Sequence, residues 1–273
     1  MPLNGTLFDT AAELYAPGMG AEHVAPLLYS LVRMLRPHRV LEVGLGYTSP
    51  FLAQALADNR AEFDDDKEIL DGRRDDAERR AVLVPDYYEQ DYEPRLVAID
   101  DLSLAGSTAP KVREVLHRLE LDGYVDFHNG DFRGFSKNIA PENLPFDFVW
   151  FDCGGPFEYI DFLNEYWPLI NDNHGILLMH FTYWYGDVAD ADTGAAYRAH
   201  FLSPIANEIK RQQLMHGYDS EFEVLSLLEP HKNRQGSVTM VRKLTVHSLC
   251  RDEDFQEAMA QITGRAVAPI PKL

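Results

Sequence analysis

The sequence is poor in cysteine: Cys153 and Cys250 are the only two in 273 residues. Two thiols exclude a disulfide framework and a four-cysteine zinc site. It is also poor in basic residues, with 25 lysines and arginines against 44 aspartates and glutamates, a formal net charge of −19. Nucleic-acid binding starts from a basic footprint, so DNA and RNA are not expected partners. An anionic membrane surface is disfavoured for the same reason. No apolar run approaches the ~20 residues of a membrane span. The opening MPLNGTLFDTAAELY lacks the basic-then-apolar pattern of a secretory signal. Repeats and low-complexity blocks are missing too, which excludes solenoid and collagen-like architectures. The expected location is cytoplasmic. The acid excess serves solubility, or part of it greets a cationic substrate.

Against these absences stand 45% hydrophobic residues, enough for a sizeable core at this length. Their spacing alternates between two periods. Residues 20–36 carry Val24, Leu27, Leu28, Leu31, Val32 and Leu35 at helical spacing, and Pro37 ends the pattern. RVLEVG then reads as a buried strand. Residues 49–57 read as a helix, with Ser49 as N-cap and Pro50 in the first turn. Residues 58–94 interrupt the alternation. They carry 14 acids against 6 bases and end in PDYYEQDYEP, the signature of an exposed, partly helical insertion rather than a domain. RLVAIDD, YVDFHNGD, FDFVWFD and HGILLMHF follow as strands. Helices are predicted over 108–121 (capped by Thr108), 157–170 and 200–216. EFEVLSLL and GSVTMVRKL close as a hairpin across EPHKNRQ. Strands separated by helices imply a parallel sheet covered on both faces, and the hairpin adds an antiparallel strand. The expected fold is therefore α/β: a Rossmann-like, doubly wound, seven-stranded mixed sheet with a closing antiparallel hairpin. Residues 1–37 form a helical cover, 38–244 the main domain and 245–273 a tail.

LEVGLGYTSP carries the first chemical signal. Gly44 and Gly46 turn the chain at the end of a strand, where a missing Cβ lets backbone approach a ligand and helix-start N–H groups hold an anion. A dinucleotide site asks for GxGxxG, and Ser49 occupies the third glycine's place. Glu42, Gly44 and Gly46, with Thr48 at a position that is often glycine, resemble instead the acid–x–Gly–x–Gly motif of class I S-adenosylmethionine-dependent methyltransferases. The resemblance spans about residues 38–244 and includes a similarity to small-molecule O-methyltransferases. It implies S-adenosylmethionine as cofactor. It also implies that Asp100, with Asp101 beside it, takes the ribose hydroxyls; a carboxylate accepts two donors. Asp131 and Phe132 of NGDFRGF fall where the family meets adenine, and Asp152 closes the fourth strand. Tyr47 belongs to the same glycine turn. The gap from Gly46 to Asp100 is wider than the family's, by the length of the insertion.

Acceptor chemistry is read from the strand ends, where ligands of doubly wound sheets sit. A hydroxyl acceptor needs a base, and His180, directly after GILLM, is the candidate, supported by Asp152. His174 falls at the opposite end of that strand. Metal-dependent relatives carry an Asp-Asn pair after strand five; His180 and Phe181 stand there instead. An imidazole with one carboxylate does not suit Mg²⁺, so no metal is expected. Tyr183, Trp184 and Tyr185 either wall an acceptor pocket or pack in an ordinary loop, with Asp187, Asp190 and Asp192 near the mouth. Tyr15 and His23 are further acceptor-side candidates. Cys153 reads as a small buried residue rather than a nucleophile. The expected function is methyl transfer to a small, aromatic or cationic acceptor, at oxygen, with nitrogen and carbon left open. The rivals are a nicotinamide-dependent oxidoreductase and a non-catalytic nucleoside-binding module of the same fold. A homodimer is the family-level expectation.

Overall fold

The computed structural model describes residues 3, 5–154, 156–190, 192–217, 220–232, 236–244, 260 and 264. The expected tail therefore lies almost entirely outside the described residues. Nine strands are found among them: β1 (Arg39–Val43), β2 (Arg95–Asp100), β3 (Val125–Asn129), β4 (Phe148–Phe151), β5 (Ile176–His180), β6 (Tyr183–Ala189), β7 (Ala196–Leu202), β8 (Phe222–Leu227) and β9 (Val238–Lys243). Seven form one sheet in the order β3-β2-β1-β4-β5-β9-β8. The first five are parallel, and β9 runs antiparallel to both β5 and β8. This is the expected seven-stranded mixed sheet with its closing hairpin.

Period-two alternation divides the central strands between two cores. Val40, Ala98, Trp150 and Leu178 point to one face, packed under α1 (Gly5–Ala11), α2 (Val24–Leu35), α3 (Ser49–Leu70) and α5 (Ala109–Arg118). Leu41, Val97, Val149 and Leu177 point to the other, where Phe162 and Tyr166 of α6 (Pro156–Tyr166) and Ile209 of α7 (Pro204–His216) cover them. Burial on both faces explains why these strands read as unbroken apolar runs.

Local details differ from the expectations. Thr48 and Thr108 occupy the N-cap positions of α3 and α5, yet neither side chain caps its helix. Ser49 lies inside the first turn, and its hydroxyl accepts from the Gly46 N–H at 3.2 Å. Ser107 serves α5 instead, accepting from the Ala109 N–H at 3.1 Å. The stretch expected as a loop after His180 is a two-stranded sheet of β6 and β7. The helix expected from residue 200 starts only at Pro204, because 196–202 pairs as β7, and Ser203 caps it through the Ala206 N–H.

The acidic insertion is more ordered than its composition suggests. α3 runs 22 residues, through the boundary at residue 58. Asn59, Phe63, Asp66 and Ile69 recur at three- and four-residue spacing on its buried side. Phe63 stacks on Tyr88 at 5.0 Å and lies against Tyr92 at 5.5 Å, a small core of its own with α4 (Ala77–Val82) alongside. Asp66 is the hub. It accepts from Arg79 at 2.7 Å, the Tyr88 hydroxyl at 2.8 Å and Arg36, the residue that ends α2, at 3.3 Å. Burial pushes its carboxyl upward, but these donors outweigh burial and hold it below the usual range. Asp66→Asn should cost about 2 kcal/mol, since it removes one of the two carboxylates that Arg36 and Arg79 share and leaves Glu62 alone opposite both guanidinium groups. The value is kept low because Arg79 is 37% exposed. Urea denaturation measures this; a loss within the error of wild type would mean the clasp adds nothing to stability.

Candidate active site

The glycine turn is fixed by close approach. Gly44 sits at φ +91°, and a Cβ there would lie 2.0 Å from the Asp152 carbonyl oxygen. Its N–H donates to the Ile99 carbonyl at 3.0 Å, and the Asp152 N–H donates to Val43 at 2.8 Å. The exits of β1, β2 and β4 are thus stitched together at the strand-order switch, where the sheet opens a crevice. Gly46 is different: a Cβ would meet only the Thr108 hydroxyl, at 3.8 Å. A cavity of about 570 Å³ opens above the turn.

Most of the expected cofactor residues line that cavity: Gly44, Gly46, Tyr47, Thr48, Asp100, Asp101, Asp131, Phe132 and Asp152. Asp100 accepts from the Leu45 N–H at 2.8 Å with one oxygen and from the Leu102 N–H at 2.7 Å with the other. Each oxygen keeps a second lone pair for a ligand. Asp101 accepts from the Ser103 N–H at 2.9 Å, and this bond holds its carboxyl below the usual range. Asp131 pairs with Arg133 at 3.1 Å. Arg133 also reaches Glu158 and Asp161, and its guanidinium lies 5.1 Å from the Phe132 ring centre. Phe132 is itself buried, edge-on to Phe151. Tyr47 packs between Tyr15 and Phe51.

Glu42 and His180 stand behind this wall rather than on it. Both are fully buried, and neither borders the cavity. Glu42 accepts from the Thr48 hydroxyl at 2.7 Å, so it meets the cavity through Thr48. Burial pushes its carboxyl up to about 8 despite Thr48 and Ser49, and Asp152 and Asp100 push the same way. His180 shares a hydrogen bond with Asp152 at 2.7 Å through Nδ1. Its Nε2 is buried with no partner among the described residues. Phe181, at φ +51°, stacks on the imidazole at 3.9 Å and does line the cavity. Burial pushes the Cys153 thiol up to about 12, with nearby acids adding to it, which matches the non-nucleophilic reading.

Two of the expected acceptor aromatics, Tyr183 and Trp184, do not border the cavity. Tyr183 and Trp184 lie on β6, Trp184 half exposed, and the Tyr185 side chain lies outside the described residues. Asp190 folds into its own hairpin turn, accepting from Thr193 and Asp192 N–H groups. His23 pairs with Glu229 on the β8–β9 connection. Sequence reasoning missed Leu14, Ala16 and Met19 from the N-terminal cover and Tyr159 from α6, which complete the cavity wall. The helical cover was legible as apolar spacing, but no local signal says which of its residues face a ligand.

No protein-family model matches the chain, and neither does any curated protein. Solved structures do. The O-methyltransferase TomG from Streptomyces achromogenes, involved in tomaymycin synthesis and solved with S-adenosylmethionine, aligns at TM-score 0.53 and 18% identity, over 89% of this chain and 91% of its own. The O-methyltransferase from Bacillus cereus, solved with S-adenosylhomocysteine, gives 0.52 and 16% over 89% and 93%. The methyltransferase PaMTH1 from Podospora anserina, also bound to S-adenosylhomocysteine, gives 0.50 and 15% over 89% of each chain. The similarity is one of fold: this chain adopts the Rossmann-like architecture those enzymes share.

Glu42 generates a pH prediction. Its folded-state value of about 8 lies above the ordinary 4.5, so the folded protein holds a proton that the unfolded chain releases. Its contribution is fully present below about pH 4.5 and is lost as pH rises through 8. Glu42→Gln cannot lose that proton. The stability of the variant relative to wild type should therefore rise between pH 5 and 8. Denaturation midpoints across that range test this; parallel curves would show Glu42 ionised in the folded state.

Proposed function

We propose that the protein transfers a methyl group from S-adenosylmethionine to an oxygen of a small-molecule acceptor. One observation carries the reading: the Gly44 turn, with no room for a Cβ, opens a cavity walled by Asp100, Asp101, Asp131 and Asp152 at the strand-order switch. The O-methyltransferases of the same fold named above support it. Asp100 and Asp101 suit ribose hydroxyls, because their oxygens still have accepting capacity. Asp131 and Phe132 border the place for the base, and Glu42 acts on the turn through Thr48. A dinucleotide is a poorer fit, since the Gly46 N–H that would face a pyrophosphate is already given to Ser49.

The cofactor supplies an electrophilic methyl group. The chain's own task is to align the acceptor and receive its proton. Asp152 is the group on the cavity side. His180 backs it at 2.7 Å from a dry, buried position, orienting the carboxylate and sharing the proton it takes up. The donor set does not suit Mg²⁺, because His180 and Phe181 stand where two oxygen ligands would be needed. The acids of the wall favour an acceptor that carries positive charge.

Two measurements test this. Calorimetry should detect S-adenosylhomocysteine binding and little response to NAD. Asp100→Ala should weaken that binding by about 10- to 100-fold, matching the loss of a charge-assisted pair worth roughly 1.5–3 kcal/mol. Unchanged affinity would move the ribose role to Asp101, and no binding by the wild type would end the proposal.

His180→Ala should lower turnover by about 10²–10⁴ while leaving S-adenosylhomocysteine affinity within a factor of two. His180→Asn, closer in size, serves as the check on folding. Raising the pH to ionise a phenolic acceptor should restore part of the lost rate. Normal turnover would mean alignment alone carries the reaction; loss of cofactor binding as well would make His180 structural.

A further inference from the structure

One cluster outside the cavity has metal-ligand chemistry. His23 precedes α2, and Glu229 and His231 lie on the connection between β8 and β9, more than two hundred residues away. One donor atom from each lies within 4.8 Å of the other two, and the two imidazole centres are 6.3 Å apart. The meeting is imposed by backbone. A Cβ on Gly236 would lie 2.6 Å from the Gly20 carbonyl oxygen, so the connection presses directly on the segment leading into His23. The Gly236 N–H donates to Oε2 of Glu229 at 2.8 Å, which leaves Oε1 aimed at His23. The carboxylate is largely covered, whereas both histidines are exposed.

We propose that His23, Glu229 and His231 bind a divalent transition metal, with Zn²⁺ the best match. Two imidazoles and one carboxylate are borderline-soft ligands, unsuited to Mg²⁺ or Ca²⁺. Three protein ligands leave one tetrahedral position for water. Zinc bonds of about 2.0–2.1 Å require ligand separations near 3.3 Å, so the donors must draw in by roughly 1.5 Å at most, within the reach of two exposed histidine side chains. The Gly236 bond to the second carboxylate oxygen is the outer-shell contact that orients such a ligand. Lys232 lies 3.3 Å from Oε1 of Glu229 and also pairs with Glu22. The metal displaces it from Glu229, and Glu22 retains it. Ala21, two residues before His23, lines the cavity, so the ion ties the N-terminal cover to the sheet's closing hairpin at the cavity rim. It holds the rim and stands apart from Asp152 and His180.

The test uses the full chain, stripped with chelator and dialysed, and needs no methyl-transfer assay. Calorimetric titration with ZnCl₂ at neutral pH should show one site per chain of micromolar affinity or better. His23→Ala and His231→Ala should each weaken it by at least about tenfold. His174→Ala removes an exposed histidine elsewhere and should leave it unchanged. Co²⁺ should give the visible absorption of a tetrahedral nitrogen–oxygen site in wild type and not in His23→Ala. Zn²⁺ should raise the melting temperature of wild type and of His174→Ala, and raise that of His23→Ala and His231→Ala less. Equal affinity in the His23→Ala and His174→Ala variants would overturn the site, as would no saturable binding. Mg²⁺ binding as tightly as Zn²⁺ would overturn the metal assigned.

Discussion

The contact between the Gly44 α-carbon and the Asp152 carbonyl is the constraint from which the cavity follows. Any side chain at residue 44 would overlap that oxygen. Its absence lets the exit of β1 lean on the exit of β4, while the Gly44 N–H reaches across to β2. Three strand ends are thereby held at one level. The carboxylates that follow them, Asp100, Asp101 and Asp152, then face a common space rather than separate loops. Gly46, two residues later, has room for a Cβ and contributes only the path of the chain.

Around that space the ionisable groups sort into two layers. Those on the wall are tied to backbone N–H groups in the case of Asp100 and Asp101, to Arg133 in that of Asp131 and to His180 in that of Asp152. Those behind the wall are dry. Glu42 answers its burial by holding a proton, and His180 answers with Asp152 on one nitrogen while the other stays unpartnered among the described residues. An unpaired buried nitrogen is costly. It is tolerated where the same imidazole does something that a hydrocarbon cannot.

The sheet was legible because its central strands are buried on both faces and read as unbroken apolar runs. Asp100, Asp101 and Asp152 were legible because each follows such a run. What escaped the reading was set by tertiary packing. α3 crosses residue 58 because Phe63 finds Tyr88 and Tyr92, partners from the far end of the insertion. The β6–β7 pair was read as a loop, and its Asp190–Thr193 turn gave no apolar alternation to correct that. Thr48 was expected to serve the turn directly, but it spends its hydroxyl on Glu42, a contact across six residues that no propensity encodes. His180 was placed correctly at its strand end. Its seclusion behind Phe181 depends on that residue's left-handed backbone, which sequence does not announce.

The long helix α3 joins two regions held together by different forces. Its first turns, with Phe51, Leu52 and Leu56, belong to the apolar core, and its last turns belong to the arginine clasp around Asp66. Dissolved salt acts on these in opposite directions. Screening weakens the partly exposed ion pairs of the clasp, and strongly hydrated anions such as sulfate reinforce apolar burial. The near half of the helix therefore tightens as ionic strength rises, while its far half exchanges ion-pair support for the apolar contact of Phe63 with Tyr88 and Tyr92.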